Sequence, residues 1–181
     1  MRLYSFTNYY LSNLQQGLQT THAVVEMFRK YQLPSLYYPS EHYSDMNTQL
    51  NDWATNHKTL IYLNGGNHKN LYDMVMNFTT RDNKYPWAVF REDEQSLNEC
   101  ITCVAIVVPT HIYELASCLR LNGVVSPLDV NKQLDAIELG GNEWSNKTYP
   151  EVTQIIQSHN QTLSQFDKEL IMLINTCPLA K

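Results

Sequence analysis

CITCVAIVVP, residues 100–109, is a run of β-branched and small apolar residues closed by a proline, and its β-branched content reads as a buried strand. Working outward, the acidic stretch REDEQSLNE at 91–99 separates it from a second apolar run, WAVF at 87–90. Further back, KTLIYL at 58–63 has strand character; the turn Asn64-Gly65-Gly66-Asn67 and a helix over Leu71 to Phe78 follow it. RLYSFT at 2–7 predicts a first strand. It leads into a helix from Gly17 to Tyr31, where Leu18, His22, Val25 and Phe28 recur at helical spacing as the face expected to pack on the sheet. Residues 32–52, with Pro34, Pro39 and many Tyr, Ser and Asn, read as loop. The order β-α-β-α-β-β predicts an α/β fold with four strands in one sheet.

Beyond Pro109 the pattern becomes helical. Ile112 to Leu121 has helical spacing and stops at Gly123, and Pro127 fits the first turn of a helix running to about Leu139, with Gly140-Gly141 as its stop. Leu163, Phe166, Leu170, Ile174 and Cys177 make one apolar face of a last helix. The expected organisation is an α/β core over 1–109 and a helical extension over 110–181 packed on it. An apolar face of that size has to be covered by the rest of the chain or by a second copy, as in a homodimer.

Composition narrows the classes. With 181 residues, 43% hydrophobic and 17% charged, the chain is an ordinary globular protein. Its length allows about 70% of the unfolded surface to be buried without metals or cross-links. The net charge of −5 argues against coating nucleic acid by bulk electrostatics, so any such contact must be local. Neither a signal-type apolar run at the start nor a membrane-length apolar stretch occurs, so a soluble cytoplasmic protein is expected. The four cysteines are expected to be reduced thiols. Cys100 and Cys103 should point to opposite faces of a strand, which disfavours a shared metal ion, and no metal or cofactor is expected.

Charge is unevenly placed. Residues 1–36 carry Arg2, Arg29 and Lys30 against Glu26, whereas residues 87–109 carry Glu92, Asp93, Glu94 and Glu99 against Arg91. These are either solvated surfaces or a phosphate-binding face and a source of carboxylates. A carboxylate at a strand end can act as general base for water. His22, on the helix stripe, reads either as a core histidine or as a catalytic one. The 64–67 segment before a helix is either a tight turn or an anion cradle in which Asn64 would take part.

Gln19-Thr20-Thr21-His22-Ala23, on the first helix after an N-terminal strand, resembles the Gln-x-x-His-Ala signature of the type II (archaeal and eukaryotic) peptidyl-tRNA hydrolases. The later order agrees, with an acidic loop before a final strand that carries Thr102, and the likeness covers about residues 1–109. The Asn8–Ser12 segment, TLIYLNGGN and FREDEQSLNE look similar to divergent bacteriophage members. The resemblance implies a four-stranded mixed sheet with helices on both faces and a cofactor-free hydrolase cleaving the ester at the 3′ end of tRNA. It carries Gln19, His22, Glu92 or Asp93, and Thr102 over as site residues. Where the family has a basic Gly-Lys, the lysine position holds Gln15, and the late loop lacks the usual Gly-Arg-Thr.

Two functions follow. In the first, an esterase acts on peptidyl-tRNA or another 3′-acylated RNA. Glu92 or Asp93 activates water with His22, Thr102 or Asn98 stabilises the oxyanion, and Arg2, Arg29 and Lys30 meet phosphates. In the second, a module binding tRNA or a host protein keeps the fold without turnover, which Gln15 and the negative charge favour.

Overall fold

The computed structural model describes residues 1–37, 41–138, 155 and 163–180. These fall into two compact units, Met1–Val108 with Pro178–Lys181, and Pro109–Cys177.

In the first unit, strands β1 (Arg2–Asn8), β2 (Leu60–Gly66), β3 (Trp87–Arg91) and β4 (Ile101–Val108) form one sheet in the order β2-β1-β4-β3. β1 runs parallel to β2, and β4 is antiparallel to both β1 and β3, so the sheet is mixed. β1 and β4 are the central strands. All eight residues of β4 are buried, as its unbroken apolar run demands.

Helix α1 (Asn13–Tyr37) covers one face of the sheet together with α2 (Glu41–Asp52), which ends in the wider turn Trp53–His57. Leu3, Cys103, Ala105 and Val107 from the strands pack there with Ala23, Met27 and Tyr31 of α1, and with Met46, Leu50 and Trp53. The packed stripe of α1 therefore differs from the expected one. Leu18 is 52% and Val25 58% exposed, and only Phe28 of the expected packing set lies against the core. The buried stripe is Gln16, Thr20, Ala23, Met27 and Tyr31, in which two positions are polar but satisfied. The Thr20 hydroxyl lies 2.5 Å from that of Ser5 and donates to the Gln16 carbonyl, and Gln16 Nε2 donates to the Leu11 carbonyl. A stripe chosen by hydropathy alone misses such a face.

The loop expected at 32–52 is also corrected. α1 continues to Tyr37, and α2 occupies Glu41–Asp52. Met46, Leu50 and Trp53, spaced by four and three, lie on one face, so burial of three large side chains outweighs the weak helix propensity of the intervening Asn, Ser and Thr. Pro34 falls in the last turns of α1, where a missing N–H costs one hydrogen bond rather than a helix.

The opposite face of the sheet receives α3 (His68–Thr80), which buries Leu71, Met74, Val75 and Phe78. Asn64-Gly65-Gly66, expected as a turn, is the end of β2. The pairing steps from Thr7↔Asn64 to Asn8↔Gly66, leaving Gly65 as an extra residue. A Cβ there would stand 2.6 Å from Leu71 Cδ2 and 3.0 Å from Phe6 Cβ, so only glycine lets the strand, β1 and α3 approach this closely. Gly66 has φ of 87° and precedes the reciprocal Asn67–Asn70 capping box that opens α3.

The chain end returns to this unit. Asn64 N–H donates to the Pro178 carbonyl, Ala180 N–H donates to the Tyr62 carbonyl, and Leu179 bridges Leu63 in antiparallel sense. β2 is thus covered along its outer edge.

Among the described residues, the second unit contains α5 (Thr110–Leu121), α6 (Pro127–Glu138) and α7 (Gln165–Thr176), the short α4 (Glu94–Leu97) belonging to the first. Pro127 opens α6 as expected; the Gly140-Gly141 stop lies outside the described residues. Leu163, Phe166, Leu170 and Ile174 are buried, and α7 packs on α5 and α6. Ser164 and Asp167 form its capping box, while Arg120 donates to the carbonyls of Ile174, Asn175 and Cys177 at its C-terminal end. Burial pushes the Cys177 thiol up to about 11. Among the described residues, no helix is long and apolar enough to cross a membrane.

Candidate functional site

At one end of the sheet, β1, β2 and β3 finish and β4 begins, and irregular pairing marks the same end in two places. Besides the extra Gly65, the β3–β4 ladder steps from Phe90↔Cys103 to Arg91↔Ile101, leaving Thr102 unpaired in register. Strict alternation would turn Thr102 away from Cys103, whose thiol faces Ser5 and Thr20 on the α1 side. The extra residue changes this, and Thr102 reaches α1 instead.

There Thr102 Oγ1 donates to Gln19 Oε1 at 3.2 Å, and Gln19 Nε2 donates to Glu92 Oε1 at 2.6 Å. The carboxylate can only accept while ionised, so it sets which way the Gln19 amide points. Three elements distant in sequence thus meet through one side chain: Gln19 from α1, Glu92 from the end of β3, and Thr102 from β4. Thr102 is buried and Glu92 half-buried, its backbone N–H donating to the Cys100 carbonyl. One turn beyond Gln19, His22 is exposed and lies face to face with Phe90, with ring centroids 4.5 Å apart and planes at 15°. It belongs to the open side of α1 rather than to the core.

The other residues singled out from sequence have different surroundings. Asp93 is exposed and caps α4, accepting from Ser96 N–H at 2.6 Å; hydrogen bonds from Ser96 hold its carboxyl below the usual range. Asn98 closes the same turn with φ of 51°, its side chain exposed. Gln15 pairs with Ser12: its Oε1 accepts from the Ser12 N–H and hydroxyl, and its own N–H donates back to Ser12 Oγ, a capping box at the start of α1. Asn64 Oδ1 accepts from Gly66 N–H and shapes the end of β2.

Arg29 and Lys30 lie toward the other end of the sheet. Lys30 Nζ sits 3.9 Å above the Trp87 ring and donates to the Trp87 carbonyl at 3.2 Å, and burial lowers its pKa to about 8. Trp87 begins the strand that ends beside Glu92, about 13 Å of extended chain away. Arg29 is exposed and paired to Glu26 at 2.9 Å, and Arg2 also starts its strand at that far end.

Two local features were not picked out from sequence. Ser12-x-x-Gln15 is a capping-box spacing that would have moved the start of α1 four residues earlier. The second is His68, whose Nδ1 accepts from Ile101 N–H at 3.0 Å and lies 3.5 Å from Cys100 Sγ. Contact across 32 residues carries no sequence signal. Cys100, one residue before β4, lies against His68 of α3, and Cys103 lies against Thr20 of α1. Among the described residues, no three His, Cys, Asp or Glu side chains gather as metal ligands.

The arrangement holds one oxygen of the half-buried Glu92 carboxylate by an amide that also accepts from a hydroxyl, with an exposed imidazole one helical turn along α1. That set supports proton abstraction from water and hydrogen bonding to an oxygen of a bound ester. No protein-family model and no curated protein matches the sequence.

Proposed function

We propose that the protein is an ester hydrolase acting on peptidyl-tRNA or another 3′-acylated RNA in the cytoplasm, that of the host if the chain is a bacteriophage protein. The observation that supports this reading is the Gln19 bridge between Glu92 and Thr102, because it joins residues that the resemblance to type II peptidyl-tRNA hydrolases singled out separately. Glu92, with one oxygen held by Gln19, takes a proton from water through the other. The hydroxide adds to the ester carbonyl, and the RNA 3′-oxygen leaves with the proton that the Glu92 carboxyl group returns, His22 hydrogen-bonding to the water or the leaving oxygen. Thr102, itself buried, keeps the Gln19 amide turned so that its nitrogen stays on Glu92.

A second reading, a module that binds acylated RNA or a host protein without turnover, is favoured by one observation. Gln15 is engaged in a helix cap, and Lys30 is engaged with Trp87, so neither supplies a cation to the site.

The test is incubation with N-blocked aminoacyl-tRNA at low salt, following release of the acyl group. Hydrolysis that falls about 100-fold or more in Glu92→Gln, without loss of folding, is the expected result. Binding without hydrolysis in the unmutated protein would replace the first reading with the second, and absence of both would overturn the first reading and the RNA-binding form of the second.

A further inference from the structure

Between β1 and α1 the chain places two tyrosines side by side in the open. Tyr9 is 44% and Tyr10 75% exposed, with ring centroids 4.0 Å apart. The Tyr9 and Tyr10 hydroxyls hydrogen-bond to each other, which raises the Tyr9 phenol above its ordinary range.

The backbone beneath them is fixed. Tyr9 N–H donates to the Gly66 carbonyl, and Tyr10 N–H donates to the side chain of the buried Asn8, an Asx turn. The pair is therefore positioned before any ligand arrives, so little rotamer freedom is lost in using it. It lies at the same end of the sheet as the site, since Thr7 is opposite Cys103 in the ladder, Thr102 precedes Cys103 in β4, and the tyrosines follow Asn8 directly.

The surroundings say what kind of ligand suits this platform. Between Arg2 and Glu26 the sequence has no Asp, Glu, Lys or Arg, so β1 after its first residue, the tyrosine turn and the first half of α1 are uncharged. Charge at this end of the sheet is mixed: Glu92 and Asp93 follow Arg91 at the end of β3, and Lys69 in the first turn of α3 is paired to Asp73, while Arg29 and Lys30 of α1 sit at the other end. Ion pairing alone gives a polyanion a weak hold among these mixed charges. A flat, neutral, hydrogen-bonding ring can be held by stacking, which every nucleobase offers regardless of its phosphate.

We infer that Tyr9 and Tyr10 are a stacking subsite for the unpaired 3′-terminal bases of the acylated RNA, which would bring the terminal ester to Glu92. The inference rests on the acyl-RNA reading above and deepens it by naming the part of the substrate recognised.

The experiment is fluorescence anisotropy with two RNA hairpins of the same stem, one with a short unpaired 3′ end and one blunt, titrated with the full chain and with Tyr10→Ala, Tyr9→Ala and Tyr10→Phe. The unpaired end should tighten binding to the unmutated protein about tenfold, the alanine variants should lose that gain, and Tyr10→Phe should keep it. Both rings are exposed, so melting temperatures should stay the same and a binding loss is not a folding loss. Equal affinity for the two hairpins, a gain that survives in Tyr10→Ala, or binding of a protein partner but no RNA would overturn the inference. Ester hydrolysis measured in parallel separates the two claims. Hydrolysis without the 3′-end effect removes the stacking subsite alone, and the 3′-end effect without hydrolysis removes the hydrolase alone.

Discussion

Gln19 is the residue on which the site turns, because a neutral amide is the group that can donate to a carboxylate and accept from a hydroxyl at once. Replacing it by glutamate sets two carboxylates against each other. The folded state then binds protons more tightly than the unfolded one, so stability falls as pH rises. Gln19→Glu is expected to melt below the unmutated protein at pH 7 and to approach it as the pH drops toward about 5, as read by thermal melts across that range. Lys30 gives the opposite slope. Its pKa of about 8 against an ordinary 10.5 means that the unfolded chain holds more protons between those values. The stability of the protein relative to Lys30→Met should therefore rise from pH 8 to 10.5 and level off on either side, and a flat difference would show that Nζ is not desolvated. Neither environment can be read locally: the sequence shows an amide and an amine on one helix, and only the strand beside them supplies a carboxylate or an indole.

At the scale of elements, the two ladder irregularities have separate jobs. The extra residue in β4 turns Thr102 toward α1, and the extra residue in β2 brings α3 close to the sheet. The second can be tested by size alone. Gly65→Ala puts a methyl 2.6 Å from Leu71 Cδ2 and against β1. It is expected to cost about 1–3 kcal/mol in denaturant unfolding, as overpacking does. Ser12→Ala, which removes the cap of α1, should cost about 1 kcal/mol, checked by the same unfolding curves. The strands and α3 were legible as elements because apolar residues recur with their own period. α2 was not, since its three buried side chains sit among residues with weak helix propensity, and the packed face of α1 was not, since Gln16 and Thr20 are polar residues satisfied within the fold.

At the scale of the molecule, residues 178–180 pair along the outer side of β2. Removing Pro178–Lys181 takes away two backbone hydrogen bonds and the bridge to Leu63, leaving β2 open along its outer side. The truncated protein is expected to lose about 1–3 kcal/mol of stability and to self-associate with rising concentration, measured by unfolding and by light scattering. An unchanged melting curve and a monodisperse solution would show that the return of the chain end is incidental.

The sequence by itself determined that four apolar runs become strands, that helices separate the first three, and that the chain turns helical after Pro109, because period and turn chemistry act over a few neighbouring residues. Tertiary structure alone decided which side of α1 is buried, that Thr102 leaves its alternation to meet Gln19, that Lys30 lies on Trp87 and that the chain end covers β2. Each depends on a partner far away in sequence. Its contribution is a contact energy between surfaces, and periodicity specifies each surface without naming the one it will meet.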